Sequence, residues 1–222
     1  MRASCARSPH SSLCARPTGG EADQPAYNRE QMATADLNSE FASTFLAGEI
    51  VALRPLVEAD ADGPYPGWLN DAEVCRHNSH HVFPYTPEQA RDWIRSIPTR
   101  GELVLAVTLR DEQTHVGNVS LQAIDPVARS AELAILLGDR SAWGRGVGLE
   151  SAQLVVAHGF GAMNLHRISC ATTEDNVAMR RIAERLGMQQ EGSRREAAFN
   201  EGRYVDVIEY GLLASNYQAP GA

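Results

Sequence analysis

A glycine-rich run at residues 140–150 is the part of this sequence best suited to bind a ligand. Its glycines carry no Cβ, so the backbone there can approach a ligand closely. The run follows an alternating apolar segment, 131–137, that predicts a strand, and it precedes apolar residues at helical spacing from Leu149 to Met163. Unpaired N–H groups at the start of a helix attract negative charge. This strand-to-helix turn therefore predicts an anion site.

Two common phosphate-binding loops do not fit this run. The dinucleotide fingerprint needs a third glycine where the chain has Leu149, and an acidic residue about 20 positions downstream, where the chain has Ile168. The P-loop needs a lysine, and the chain contains none. The anion site therefore belongs to a different kind of loop.

Glu132 is the candidate general base. It is the only acidic residue in the predicted strand 131–137, and it alternates onto one face with Ala134 and Leu136. A partly buried carboxylate is well suited to take a proton from an amine. A solvated glutamate at a strand end fits the same pattern, so both interpretations stay open at this point.

The glycine-rich run resembles the pyrophosphate loop of the GNAT acyl-CoA N-acetyltransferases, whose pattern is Gln/Arg-x-x-Gly-x-Gly/Ala. Trp143 takes the first position, and Gly146 and Gly148 take the glycine positions. Two later segments resemble the family in the same order. Residues 174–188 are similar to its Asn-x-x-Ser/Ala and Glu-Lys-Leu-Gly-Phe segment, and residues 191–206 are similar to the tail of its ribosomal-protein-alanine acetyltransferase branch.

This resemblance implies an α/β (α+β) fold, a mixed and mostly antiparallel sheet of six to seven strands flanked by helices. It also implies that the two central strands, here 131–137 and 166–172, splay apart and leave a gap. The implied function is transfer of an acetyl group from acetyl-CoA, as cosubstrate, to a primary amine. The transfer would proceed by direct attack in a ternary complex.

The resemblance further implies which residues hold the coenzyme. The backbone of Leu136, Leu137 and Gly138 would contact its pantetheine arm. The side chain of Asn176 would also reach it, although asparagine is equally suited to cap a helix, and the two roles stay open. The pyrophosphate would lie on the loop formed by Trp143, Gly144, Arg145, Gly146, Val147, Gly148, Leu149 and Glu150, with the amides from 147 to 150 as donors.

The proton that the leaving thiolate collects has no clear donor. The family's usual tyrosine falls at Ala183, which excludes that group. Water, Ser141 or Tyr204 remain as candidates, and a thiolate is a weak enough base for any of them.

The acceptor cannot be chosen from these motifs. A protein N-terminus, an aminosugar, an aminoglycoside or a polyamine are all consistent with the resemblance, and a homodimer is common in the family. A non-catalytic acyl-CoA-binding module is the alternative function. His77, His80 and His81 are expected to line the acceptor pocket or to lie in a solvated loop, with no metal site.

Composition excludes several other classes of protein. The net charge is −8 and all twenty basic residues are arginines without a basic stripe, which argues against nucleic-acid binding. The four cysteines have no metal-ligand or disulfide spacing, and no apolar stretch is long enough to span a bilayer. A cytoplasmic protein without membrane partners is the expectation.

One folded domain is expected at 41–216, after a disordered tail at 1–40 and before a short tail at 217–222. Helices are predicted at 68–74, from the capping box of Thr86 and Gln89 to a stop at Pro98, and at 176–186 with Gly187 as its cap. Strands are predicted at 50–54, 103–109, 116–124, 131–137, 166–172, 189–197 and 204–212, the last two joined by a turn at 200–202.

Overall fold

The computed structural model describes residues 43–78 and 80–218, and the predicted tail at 1–40 lies outside these ranges. Within them, no helix has both the length and the apolar character that crossing a membrane requires. The strands are β1 (Leu46–Ala47), β2 (Val51–Pro55), β3 (Leu103–Leu109), β4 (His115–Asp125), β5 (Ser130–Leu137), β6 (Arg167–Thr173), β7 (Gln189–Asn200) and β8 (Arg203–Leu213). The α-helices in the same ranges are α1 (Tyr65–Trp68), α2 (Pro87–Arg100), α3 (Val147–Gly161) and α4 (Val177–Arg185).

The eight strands form one mixed sheet in the order β1-β2-β3-β4-β5-β6-β8-β7. Every neighbouring pair is antiparallel except β5 and β6, which are parallel. This confirms the predicted fold class and the meander that leads into the glycine-rich loop. The sheet has one strand more than the predicted six to seven, because the two-residue β1 is too short to give a periodic signal.

Each face of the sheet carries its own hydrophobic core. Helices α3 and α4 cover one face, where Ala131 and Leu133 of β5 are buried against α3 residues such as Val155. The opposite face carries α1 and α2, and Leu136 packs against that second core around Trp68. Because side chains alternate along a strand, Glu132 lies on the same face as Leu136, which we call the α2 face.

Two helix predictions were wrong at their ends. Helix α2 has the predicted capping box but continues through Pro98 to Arg100, because a proline in the last turn removes only one hydrogen bond, and Gly101 at φ 67° ends it. The helix predicted at 68–74 lies earlier, at Tyr65–Trp68. The carboxylate of Asp71 accepts the N–H groups of the two residues at 73 and 74, and this local turn competes with a helix.

The carboxylate of Glu150 fastens the β1–β2 turn to the start of α3. It accepts the backbone N–H groups of Glu49, Ile50 and Val51 at 2.7, 2.8 and 2.8 Å. A Cβ at Gly48 would lie 2.5 Å from this carboxylate, so the close approach requires glycine there. The first helical turn after the glycine-rich loop is thereby fixed to a distant part of the chain.

Replacing Glu150 by glutamine is therefore expected to lower the free energy of unfolding by about 2 kcal/mol, since an amide offers one oxygen to three donors. Urea denaturation of the variant measures this loss. Glu112→Gln, an exposed change in the β3–β4 turn, is the matched control and should leave stability near its original value. If Glu150→Gln and the control unfold at the same urea concentration, the hydrogen bonds of Glu150 to the β1–β2 turn do not stabilise the fold.

Candidate active site

The gap between β5 and β6 is the central feature of the candidate site. The two strands pair only from Ser130 to Glu132 with Arg167 to Ser169, although β5 continues to Leu137 and β6 to Thr173. Beyond Glu132, the backbone N–H and C=O groups on the facing edges of β5 and β6 do not pair with each other. The predicted splay is confirmed, and it begins at the candidate base.

The backbone alternation of β5 decides which groups face this gap. The N–H of Gly138 donates to the carbonyl of Val116 on β4 at 3.0 Å. Residues two apart on a strand point the same way, so the backbone groups of Leu136 also face β4, and those of Ile135 and Leu137 face the gap. This corrects the predicted backbone contacts at Leu136 and Gly138, because the sequence does not reveal on which side of β5 the partner strand lies.

Gly138 has a packing role instead. A Cβ on this residue would lie 1.8 Å from the indole ring of Trp68. Trp68 in turn packs edge-on against His115, with ring centroids 5.0 Å apart. The close contact between α1 and the end of β5 therefore depends on a glycine at 138.

The glycine-rich loop turns from β5 into α3 through two left-handed residues. Gly144 has φ 73° and Gly146 has φ 85°, and Gly146 is the N-cap of α3. These positive angles explain why glycine occurs at both positions. The indole N–H of Trp143 donates to the carbonyl of Leu137 at 2.9 Å and ties the loop back to the strand end.

The first amides of α3 have no hydrogen-bond partner within the helix. The N-cap Gly146 has no side chain to satisfy the first helical amides. The N–H of Glu150 donates to the carbonyl of Gly146 at 3.0 Å, so the predicted donor at 150 is already used within the helix. The amides of Val147, Gly148 and Leu149 precede the first intrahelical hydrogen bond, and they stay the predicted donors to a pyrophosphate. Val147 and Gly148 are buried, and Leu149 is half-buried.

Glu132 is half-buried on the α2 face, at the point where the two strands separate. It pairs with Gln122 on β4 and Ser169 on β6 through the backbone. Among the described residues, its carboxylate has no ion-pair partner. The carboxylate is therefore available to accept a proton at the inner end of the gap.

Comparison with known proteins identifies the family. An acetyltransferase (GNAT) domain model matches residues 51–189. The chain belongs to the GNAT acetyltransferase family. It is an acetyl-CoA-dependent N-acetyltransferase, so the non-catalytic alternative is set aside.

Named relatives of this GNAT protein act on different acceptors. An uncharacterized N-acetyltransferase, p20 of Bacillus licheniformis, is 29% identical over 76% of this chain and 96% of its own length. The phosphinothricin N-acetyltransferase of Streptomyces coelicolor is 31% identical over 72% of this chain and 94% of its own. The coenzyme A complex of RimL, a ribosomal L7/L12 alpha-N-protein acetyltransferase, superposes with a TM-score of 0.69 over 77% of this chain and 98% of its own, at 21% identity.

Asn176 caps a helix in this GNAT domain. Its side-chain oxygen accepts the N–H of Met179 at 3.1 Å, and its amide group donates to Thr172 at 2.9 Å. The capping role, one of the two predicted, is thus present, while a contact to the coenzyme stays a prediction. Ala183, at the position of the family's tyrosine, is fully buried in the core.

His77 has an acidic partner that the sequence did not reveal. Its Nδ1 atom lies 3.1 Å from the hydroxyl of Thr173 and 3.3 Å from the carboxylate of Asp175. Burial opposes ionisation of Asp175, but the hydrogen bond from Thr173 and the charge of His77 outweigh it and lower the pKa of Asp175. These contacts tie the segment before His80 to the end of β6, and no cluster of potential metal ligands occurs within the described ranges.

A groove beside the anion site was missed by the sequence reasoning. Leu149 at the start of α3 and four residues of α4, namely Arg181, Ile182, Glu184 and Arg185, line about 500 Å³. The two arginines and one glutamate give it a positive balance. Since it adjoins the pyrophosphate amides, we expect the 3′-phosphate of coenzyme A to lie there.

Arg181→Gln is therefore expected to weaken binding of coenzyme A by about ten-fold and to leave the affinity for dephospho-coenzyme A close to its original value. Calorimetry with the two ligands measures the difference. Arg100→Gln, at the end of α2 on the opposite face of the sheet, is the control for a general charge effect. Equal losses for both ligands would mean that Arg181 does not contact the 3′-phosphate.

Proposed function

We propose that this enzyme transfers the acetyl group to a primary amine by direct attack in a ternary complex, with Glu132 as the general base. The observation that carries the proposal is the position of Glu132. It is the half-buried carboxylate at which the pairing of β5 with β6 ends. Acetyl-CoA supplies the thioester, and the amides of Val147 to Leu149, which have no partner within the helix, would bind its pyrophosphate.

The chemistry requires the amine to lose its proton before or as it attacks. An ammonium approaching from the α2 face would meet the carboxylate of Glu132, which attracts the positive charge and then accepts the proton. The N–H groups of Ile135 and Leu137 face the gap and are the chain's candidates to orient the thioester end of the coenzyme.

The described cysteines support direct attack over an acyl-enzyme. Burial, and secondly the charge of Glu132, raise the pKa of the Cys170 thiol to about 12. Burial also raises the pKa of the Cys75 thiol. Both thiols are therefore protonated at neutral pH, whereas a nucleophilic cysteine must ionise.

The amine acceptor of this reaction is either a small molecule or a protein N-terminus. The relatives' names include phosphinothricin, spermidine and ribosomal acceptors, so they favour neither a small molecule nor a protein N-terminus. Both kinds of acceptor present a primary amine to the same base. The proposed reaction is therefore independent of which of them is used.

Steady-state kinetics with varied acetyl-CoA and amine tests the reaction, with thiol release and the mass of the acetylated product as paired readouts. Direct attack predicts intersecting lines in the double-reciprocal plots. Parallel lines, the signature of a covalent intermediate, would contradict the ternary complex. Thiol release without an acetylated amine would contradict the transferase assignment of the site.

A further inference from the structure

A second cavity lies on the α2 face, next to Glu132. It has a volume of about 380 Å³, within the range that holds small ligands. Its floor contains the small residues Ser169 and Ala171 of β6, and Glu132 lies at one side. Its charged lining consists of Glu132, Arg167, Glu191, Arg194 and Glu209.

Two of these carboxylates are held by arginines in different ways. Both terminal nitrogens of Arg167 donate hydrogen bonds to the carboxylate of Glu191. This pair packs on Gly211, where an added Cβ would lie 2.5 Å from each of the two side chains. The shortest contact between Arg194 and Glu209 joins Nε to a carboxylate oxygen, at 2.9 Å. The side chains of this second pair are 58% and 46% exposed, so the interaction is weak and easily opened.

Two charged groups of this cavity, one negative and one positive, can bind a ligand. Glu132 has no ion-pair partner among the described residues, and it gives the cavity one uncompensated negative charge. Arg194 lies against Glu209 through Nε, and its two terminal nitrogens donate no hydrogen bond within the described residues, so they can bind another acceptor. One end of the cavity therefore suits an ammonium, and the other suits a carboxylate or a similar anion.

We propose that this cavity is the acceptor subsite and that it selects a small zwitterion, with its primary amine at Glu132 and its anionic group at Arg194. This inference rests on the proposed function, because the amine must reach the base. A polyamine fits the cavity less well, since its further ammonium groups would meet carboxylates that arginines already neutralise. The amine donates its proton to Glu132, and the nitrogen is the atom that forms the new bond to the acetyl group.

The test compares amine acceptors that differ only in their anionic group. A series of ω-amino acids from two to eight carbons is assayed beside the corresponding ω-amino amides, and kcat/KM is measured for each pair. Wild-type enzyme is expected to prefer the acid over the amide by about ten-fold or more at the best chain length. Arg194→Gln is expected to bring that ratio close to one.

Arg195→Gln is the matched control, because Arg195 is the next residue on β7 and does not line the cavity. It should retain the wild-type ratio. Loss of the ratio in both variants would indicate a general charge effect and overturn the assignment to Arg194. A wild-type enzyme that prefers amides, polyamines or peptide N-termini over every ω-amino acid would overturn the zwitterion.

Failure of the proposed function has a different signature. Glu132→Gln should slow the turnover of acids and amides alike, because it removes the base and not the anion contact. If that variant instead keeps full turnover while the acid-to-amide ratio depends on Arg194, the subsite stands and the assigned base is wrong. If the wild-type enzyme turns over acids and amides equally well while Glu132→Gln is inactive, Glu132 is supported as the base and the zwitterion subsite is wrong.

Discussion

Glu132→Gln is expected to lower kcat by about 100-fold or more while the affinity for acetyl-CoA stays within two-fold of the original value. The amide has the shape of the carboxylate but cannot take a proton at neutral pH. The proposed coenzyme contacts lie elsewhere, on the amides of Val147 to Leu149 and on the gap side of β5. Steady-state kinetics and calorimetry measure the two quantities separately.

The pH dependence of this variant gives a sharper readout. As the pH rises, more of the amine is already deprotonated in solution, and the general base becomes less necessary. The deficit of Glu132→Gln should therefore shrink toward high pH. Glu112→Gln, exposed in the β3–β4 turn, should follow the wild-type profile. A deficit that is constant across the pH range would assign Glu132 a role in positioning and not in proton transfer.

Gly146→Val is expected to weaken acetyl-CoA binding by about 100-fold. Gly146 has φ 85°, a left-handed angle that costs a residue with a Cβ about 1–2 kcal/mol, and valine would add bulk beside the first amides of α3. The new Cβ would also lie 3.4 Å from Ile50 of the neighbouring turn. Calorimetry of the folded variant measures the loss, and thermal unfolding reports the strain.

Two further variants separate strain from occlusion. Gly146→Asn accepts the left-handed conformation more readily, and its side chain can cap the same amides. We expect it to retain more stability than the valine variant and still to bind acetyl-CoA weakly. Gly161→Ala, at the other end of α3 with open space around it, should bind normally. Normal binding by Gly146→Val would contradict the assigned pyrophosphate site.

Local features of the fold were predictable because each depends on a few adjacent residues. The capping box of Thr86 and Gln89 forms as predicted, with hydrogen bonds of 2.8 and 3.2 Å. Gly187 ends α4 in a left-handed conformation at φ 80°. The hairpin turn at Glu201 and Gly202 has φ 48° and 81°, the positive pair that a two-residue turn requires.

Other features required the tertiary structure. The family resemblance assigned the gap contacts to Leu136, Leu137 and Gly138. The pairing of β5 with β4 turns the backbone groups of Leu136 and Gly138 away and leaves those of Ile135 and Leu137 facing the gap. A one-residue difference of this kind depends on which neighbour a strand has on each side. Periodicity alone carries no such information.

The sequence by itself predicted the strand-to-helix loop and the run of strands before it, since these depend on apolar periodicity and glycine positions within one segment. The splay of the central strands came from the family resemblance, and Glu132 stays a candidate base. Only the tertiary structure decided that Glu150 clamps a turn about 100 residues away, that His77 meets Asp175, and that Arg194 lies in a cavity with Glu132. Such contacts join side chains from separate strands and loops. Their partners are set by the packing and register of the whole sheet, which no local pattern records.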